Sequence, residues 1–181
     1  MNKLALVLAS SALALSIPLS PAIATIETAE ARSAALEAAE QARADMAEAF
    51  GETQLKAGQY VWRDGVSRGA PRVIISLSEQ MAYLYRGDEL AAVSTISSGT
   101  EEHPTPTGIF PILAKKTMHR SKKYDDAPMP FMQRLDSYGI AMHAGHLPGR
   151  PASHGCIRLP AKFAARLYAV TEVGSTVFIA A

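Results

Sequence analysis

The chain has 181 residues, 48% of them hydrophobic, and a formal charge of +1. That length suits one domain with accessory segments, and the apolar share is ordinary for a protein that buries a core. Its basic residues form no stripe with interleaved aromatics, which excludes nucleic acid as a partner.

The first segment, MNKLALVLASSALALSIPLSPAIA, has the order of an export leader. Lys3 is the positive flank, Leu4 to Ile17 the apolar stretch, and Ala22-Ile23-Ala24 the small-residue cleavage site. Cleavage is predicted after Ala24. A membrane helix needs about 20 apolar residues, and Pro18 and Pro21 interrupt this one, so no membrane span is expected after cleavage. No cysteine stands near the cleavage site, so a lipoprotein-type anchor is not expected either.

Residues 25–50 are rich in alanine and charge and hold neither Gly nor Pro, which predicts a helix that stops at Gly51. The large apolar residues there are Ile26, Leu36, Met46 and Phe50, and the last three fall within about 80° on a helical wheel. Six acids against Arg32 and Arg43 leave the segment at net −4. It reads as a solvated helix leaning on the main domain by that stripe; a spacer or a docking helix for a partner is the functional alternative. Residues 51–71 read as a linker with turn signals at Gly58, Gly65 and Gly69, a short strand in QYVWR, and Trp62 as a packing residue.

From Arg72 to Ala181 the texture becomes β. RVIISL is an apolar run suited to a buried strand, MAYLYR alternates before a turn at Gly87-Asp88, and ELAAVSTISSG continues the meander. TPTGIFPILAK places a turn before another strand, and YGIAMH predicts a strand ending at His143. The stretch between, from Lys115 to the start of that strand, reads as a loop walling a cleft. Its Lys115, Lys116, Arg120, Lys122 and Lys123 make a solvated basic face or an attractor for anionic polymer. Tyr124, Met129, Phe131 and Met132 either pack or line a groove. Pro160 opens a helix with Phe163, Leu167 and Val170 on one face, and STVFIA closes as a strand. The fold class is therefore mainly β, mostly antiparallel, with one late α-helix.

The sequence HAGHLPGRPASHGCIRLP, from His143 to Pro160, holds three of the five histidines and the sole cysteine. In an oxidising compartment a single cysteine is buried and inert, bridged to another chain, or reactive. A free thiol is mostly protonated at neutral pH, so a nucleophilic Cys156 needs a base or a neighbouring cation. His143 lies thirteen residues upstream, and Gly145, Pro148, Gly149 and Pro151 between them let the chain fold back. Gly155 lets backbone amides approach a substrate oxygen, and Ser153 and His154 are expected to hold the turn through side-chain hydrogen bonds. His143, His146, His154 and Cys156 would also suit zinc, but Pro148 and Pro151 argue against the helix that such spacing favours. A papain-like order is reversed here, since the cysteine follows its histidine. His103 and His119 have no evident chemical partner and count as structural or exposed.

SHGCIRL, preceded by MHAG, resembles the signature of the L,D-transpeptidase (YkuD-like) catalytic domain, in its compact proteobacterial branch. SLSEQMAYLY, TISSGTEEHPTPTGIF and GSTVFIA extend the likeness over residues 72–181. The resemblance implies a β-sandwich or mixed-sheet domain packed around a helix, located in the periplasm and acting in cell-wall organisation without metal or cofactor. It implies that Cys156 attacks a peptidoglycan tetrapeptide stem at its third residue, releases D-alanine and passes the acyl group to an amine. Stem peptides would be donor and acceptor, giving 3–3 cross-links, with an outer-membrane protein as an alternative acceptor. His143 matches the family base, oriented by a backbone carbonyl near Ala144. Gly155 and Cys156 match oxyanion positions, and Ser153, His154 and Arg158 match supporting ones. His146 is an extra imidazole competing for the base role. An L,D-carboxypeptidase or endopeptidase would use the same acyl-enzyme with water; a wall-binding protein with an inert thiol is the non-catalytic alternative.

Overall fold

The computed structural model describes residues 26–51, 54–66 and 68–181; the predicted leader, residues 1–24, lies outside them. The order is α1 (Ala29–Phe50), β1 (Tyr60–Trp62), β2 (Pro71–Ser76), β3 (Met81–Arg86), β4 (Glu89–Thr95), β5 (Gly108–Pro111), β6 (Ala114–Arg120), β7 (Pro128–Arg134), β8 (Ala141–Ala144), β9 (Ile157–Leu159), α2 (Ala161–Val170) and β10 (Thr176–Ala180). Six strands form one sheet in the order β1-β4-β3-β2-β10-β5, and four form another in the order β6-β7-β8-β9. Most pairs are antiparallel, as expected, but β10 runs parallel to β2 and β9 parallel to β8.

The unbroken apolar run of β2 follows from burial on both faces. Val73 and Ile75 point inward with Ala82 and Leu84 of β3, against Phe163, Ala164 and Leu167 of α2 and Met142, Ile157 and Leu159 of the second sheet. Ile74 points outward with Met81, Tyr83 and Tyr85, where α1 covers the sheet. Helix α2 thus sits in the inner core, where Phe163 meets Tyr60 and Trp62 at ring separations of 5.7 and 5.8 Å. Pro160 is the residue before its first turn rather than within it.

Helix α1 does lean on the domain, and of the predicted apolar stripe Met46 is buried and Phe50 packs there, while Leu36 faces away. Leu36 is 44% exposed, whereas Ala31, Ala35, Ala39, Ala42 and Met46 are buried. Ahead of Met46 the face is a stripe of alanines, whose small size lets the helix axis approach the sheet closely. Thr28 caps the start by accepting from Ala31 N–H at 3.2 Å, and Gly51 ends it in the left-handed conformation. Tyr85 donates its hydroxyl to Asp45 at 2.5 Å, and Arg43 pairs with Glu79 at 3.1 Å. Ala42→Leu should therefore overpack this seam at a cost of about 1–3 kcal/mol. A thermal melt should fall by about 2–4 °C per kcal/mol, while Leu36→Ala leaves it nearly unmoved.

The stretch expected to be a loop is a hairpin. β6 and β7 pair from Ala114↔Arg134 to Arg120↔Pro128, with residues 121–127 as the connection. Pro128 and Pro130 disguise it, since proline is poor in central strands. They are tolerated because β8 pairs with β7 at Gln133 and Arg134, so at the prolines β6 is the sole flanking strand. Lys115 is not part of a free basic face either: its ammonium donates to Tyr168 O at 2.6 Å and Thr171 O at 2.5 Å, capping the end of α2.

Candidate active site

The parallel pairing of β8 and β9 brings the two halves of the site together. Its register sets Met142 beside Ile157, His143 beside Arg158 and Ala144 beside Leu159. Side chains alternate across a sheet. Met142, Ala144, Ile157 and Leu159 therefore enter the core, and His143, Cys156 and Arg158 share the opposite face. They line one cleft of about 860 Å³, together with His119 of β6, Tyr124 and Lys123 of the hairpin tip, Tyr138 and His146.

The turn that presents Cys156 is held from both sides. Ser153 is buried; its Oγ accepts from Gly155 N–H at 3.1 Å and donates to Cys156 O at 2.5 Å. Ser98 O accepts Ala152 N–H at 2.9 Å and Ser153 N–H at 3.0 Å, and Ser153 O accepts Thr100 N–H at 3.1 Å. Thr105 Oγ1 joins the two runs, accepting Gly99 N–H at 2.9 Å and donating to Gly155 O at 2.8 Å. Gly155 has φ +106°, a conformation that requires glycine, and a Cβ there would also have to displace the Ile140 Cδ1 methyl, 2.6 Å away. Its N–H is engaged by Ser153, so Gly155 shapes the turn and does not present its own amide.

His143 is buried, and its Nδ1 lies 2.8 Å from Ala144 O. A carbonyl can only accept, so Nδ1 carries the proton and Nε2 keeps a lone pair. Burial pushes the imidazole below its ordinary pKa of 6.5; the Ala144 carbonyl pulls it back up, and the charges of Arg158 and His119 lower it further. Cys156 is half-buried, with Sγ 3.7 Å from Gly139 O. Burial raises its thiol pKa; the Ala141 N–H opposes that, Asp136 adds to it, and Arg158 works against it. Both shifts favour the uncharged pair at rest: neutral thiol with neutral imidazole. A neutral pair can pass its proton in the course of an attack without a standing thiolate.

Of the other residues read from the sequence, Ser153 holds the turn as expected. His154 does not: it is exposed and stacks on Tyr124 at 4.5 Å between ring centroids, with His103 on it at 4.8 Å. His103 thus has a partner after all, and His119 lines the cleft and acts on the charge of His143. Tyr124 and Met129 line the groove, while Phe131 packs on Tyr168 at 6.0 Å and Met132 is buried. His146 reaches the cleft but is exposed, without the carbonyl partner that orients His143. Among the described residues, no three of His, Cys, Asp and Glu gather as metal ligands would. Sequence reasoning missed Gly99, Thr105 and Asp136. Asp136 accepts from Gly139 and Ile140 N–H at 2.8 Å each, and DSYG carries the signal of such an Asp-led turn.

Residues 70–179 match the family described as the L,D-transpeptidase catalytic domain. Solved structures that share the fold include an L,D-transpeptidase from Mycobacterium smegmatis, at 21% identity and TM-score 0.57, covering 61% of this chain and 58% of that one. One from Stackebrandtia nassauensis has 24% identity and TM-score 0.57, with coverage of 64% and 58%. L,D-transpeptidase 3 from Mycobacterium tuberculosis, in complex with a faropenem-derived adduct, has 22% identity and TM-score 0.58, with coverage of 62% and 60%. At these identities the likeness is one of fold, and the chain covers no more than 60% of the length of these three. Comparison with curated protein sequences finds no match.

Proposed function

Since the chain belongs to the L,D-transpeptidase catalytic-domain family, we propose that it is an exported cysteine L,D-transpeptidase of the periplasm that acts on peptidoglycan tetrapeptide stems. The observation that carries this reading is a single cleft shared by Cys156 and a His143 whose tautomer is fixed by the Ala144 carbonyl. Export rests on the leader-like order of Lys3, Leu4 to Ile17 and Ala22 to Ala24.

In the first half-reaction His143 Nε2 takes the thiol proton as Sγ bonds to the carbonyl carbon of the third stem residue. Negative charge develops on the carbonyl oxygen, and the Cys156 N–H is the turn's donor toward it, because the Gly155 N–H is engaged. The intermediate collapses, the amide C–N bond breaks, and the imidazolium returns its proton to the departing D-alanine nitrogen. A thioester remains. In the second half an acceptor amine on another stem loses a proton to His143, attacks the thioester and expels the thiol, forming a 3–3 cross-link.

The test is incubation of residues 25–181 with tetrapeptide stems, with products read by mass spectrometry. A dimer lighter by one D-alanine supports transfer, a tripeptide shows hydrolysis, and unchanged stems refute both. A penem or carbapenem should leave a covalent adduct on Cys156. The pH dependence of kcat/KM checks the resting charge state. Activity needs unprotonated His143, whose pKa is lowered by burial, so the acid limb should lie below pH 6.5. A rate still climbing through the thiol's own titration, above pH 9, would mean instead that a preformed thiolate attacks.

A further inference from the structure

The ionisable lining of the cleft is one-sided. Besides His143 its walls carry His119, Lys122, Lys123, His146, His154 and Arg158, and among the described residues no carboxylate side chain lines it. Of the acids close by, Asp126 pairs with Arg120 at 3.1 Å, and Asp136 is buried under two backbone N–H groups. Arg158 differs from the other bases in two respects. It is half-buried, where Lys122, Lys123, His146 and His154 are exposed. Its guanidinium also has no hydrogen-bond or ion-pair partner among the described residues. Withdrawing a charge from water without a partner is costly, and a guanidinium fork matches a carboxylate with two parallel hydrogen bonds.

Its position is fixed as well. Arg158 lies two residues past Cys156 on the same face, about 6–7 Å along the chain, and opposite His143 in the ladder. Its alkyl stem crosses Gly145 so closely that a Cβ there would come within 2.9 Å of Cγ and 3.0 Å of Cδ. Gly145 is not among the glycines with positive φ, so glycine serves here to make room for that stem. Gly145 N–H donates to Leu159 O at 3.0 Å, which keeps the two segments in register.

Building on the transpeptidase reading of this cleft, we propose that Arg158 is a specificity-determining residue that grips the terminal carboxylate of the leaving D-alanine. That carboxylate is the anion nearest the scissile amide, two bonds from its nitrogen, whereas the side-chain carboxyl of the third residue lies at the far end of its side chain. The donor must then end in a free carboxylate one residue beyond the attacked carbonyl, and a longer or amidated end is rejected for want of charge at the fork.

The experiment compares three tetrapeptide stems: one ending in D-alanine, one in D-alaninamide, and one amidated on the side-chain carboxyl of the third residue. Release of the terminal residue by the purified chain gives kcat/KM for each. The wild type should favour the free terminus over D-alaninamide by about 10- to 100-fold and accept the side-chain amide. In Arg158→Gln that ratio should collapse toward one, whatever the absolute rates, and Arg158→Lys should restore part of it. Gly145→Ala displaces the stem without changing charge and should lower the ratio too. A wild-type ratio near one with normal turnover overturns the Arg158 assignment alone. So does a ratio that survives Arg158→Gln, or discrimination that tracks the side-chain amide. No release from any stem, with Cys156 unmodified, overturns the assignment together with the transpeptidase reading.

Discussion

Cys156→Ala should form no covalent adduct and release no D-alanine, and His143→Ala should slow both by about 10²–10⁴-fold. The first loss is complete because no other thiol exists in the chain and the thioester needs one. The second is partial because a substrate can still bind and water can take the proton. The two imidazoles near the thiol separate cleanly on geometry. His143 is buried and held by Ala144 O at 2.8 Å, while His146 sits on the cleft lip without such a partner. His146→Ala should therefore keep most of the activity that His143→Ala loses. Adduct mass with a β-lactam and D-alanine release read the two steps separately; a reversed ranking would move the base to His146.

Gly99→Ala should be as damaging to the site as a change in the catalytic turn itself, although it lies far from Cys156 in sequence. A Cβ at Gly99 would collide with the His103 carbonyl oxygen and would come within 2.8 Å of both Gly155 Cα and Thr105 N. All three are backbone atoms, so no side chain can swing aside. Either the 97–100 run or the Cys156 turn must shift, breaking the Thr105 link between them. Overpacking against backbone lies at the upper end of such costs, about 3 kcal/mol, or a melting point lower by about 6–12 °C in a chain of this size. Adduct formation should fall with it, because the shift lands on Gly155, the residue before Cys156. A Gly99→Ala protein with unchanged melting and unchanged acylation would show that this rail does not position the turn.

Periodicity and bulk made part of the fold legible in the sequence. The doubly buried run of β2, the Phe163–Leu167–Val170 face of α2 and the Gly51 stop all rest on patterns that survive in any context. Cys156 with His143 was legible because unpaired thiols and glycine-rich turns are chemically conspicuous. The features that stayed hidden depend on partners distant in the chain. Leu36 misled because a close helix–sheet seam selects alanine, and alanine carries no strong hydrophobic signal. Prolines and lysines disguised the β6–β7 hairpin, since their tolerance depends on β8 ending short. The role of Gly99 is set by residues 103, 105 and 155 at once, and His154 left its expected hydrogen-bonding role because Tyr124 offers a flat ring.

β10 is the last strand in chain order, yet it lies inside the six-stranded sheet, parallel to β2 on one side and antiparallel to β5 on the other. A chain leaving the ribosome from its N-terminus thus cannot zip this sheet shut as it is made: β2 and β5 must wait, unjoined, for residues 176–180. Contacts so far apart in sequence close slowly.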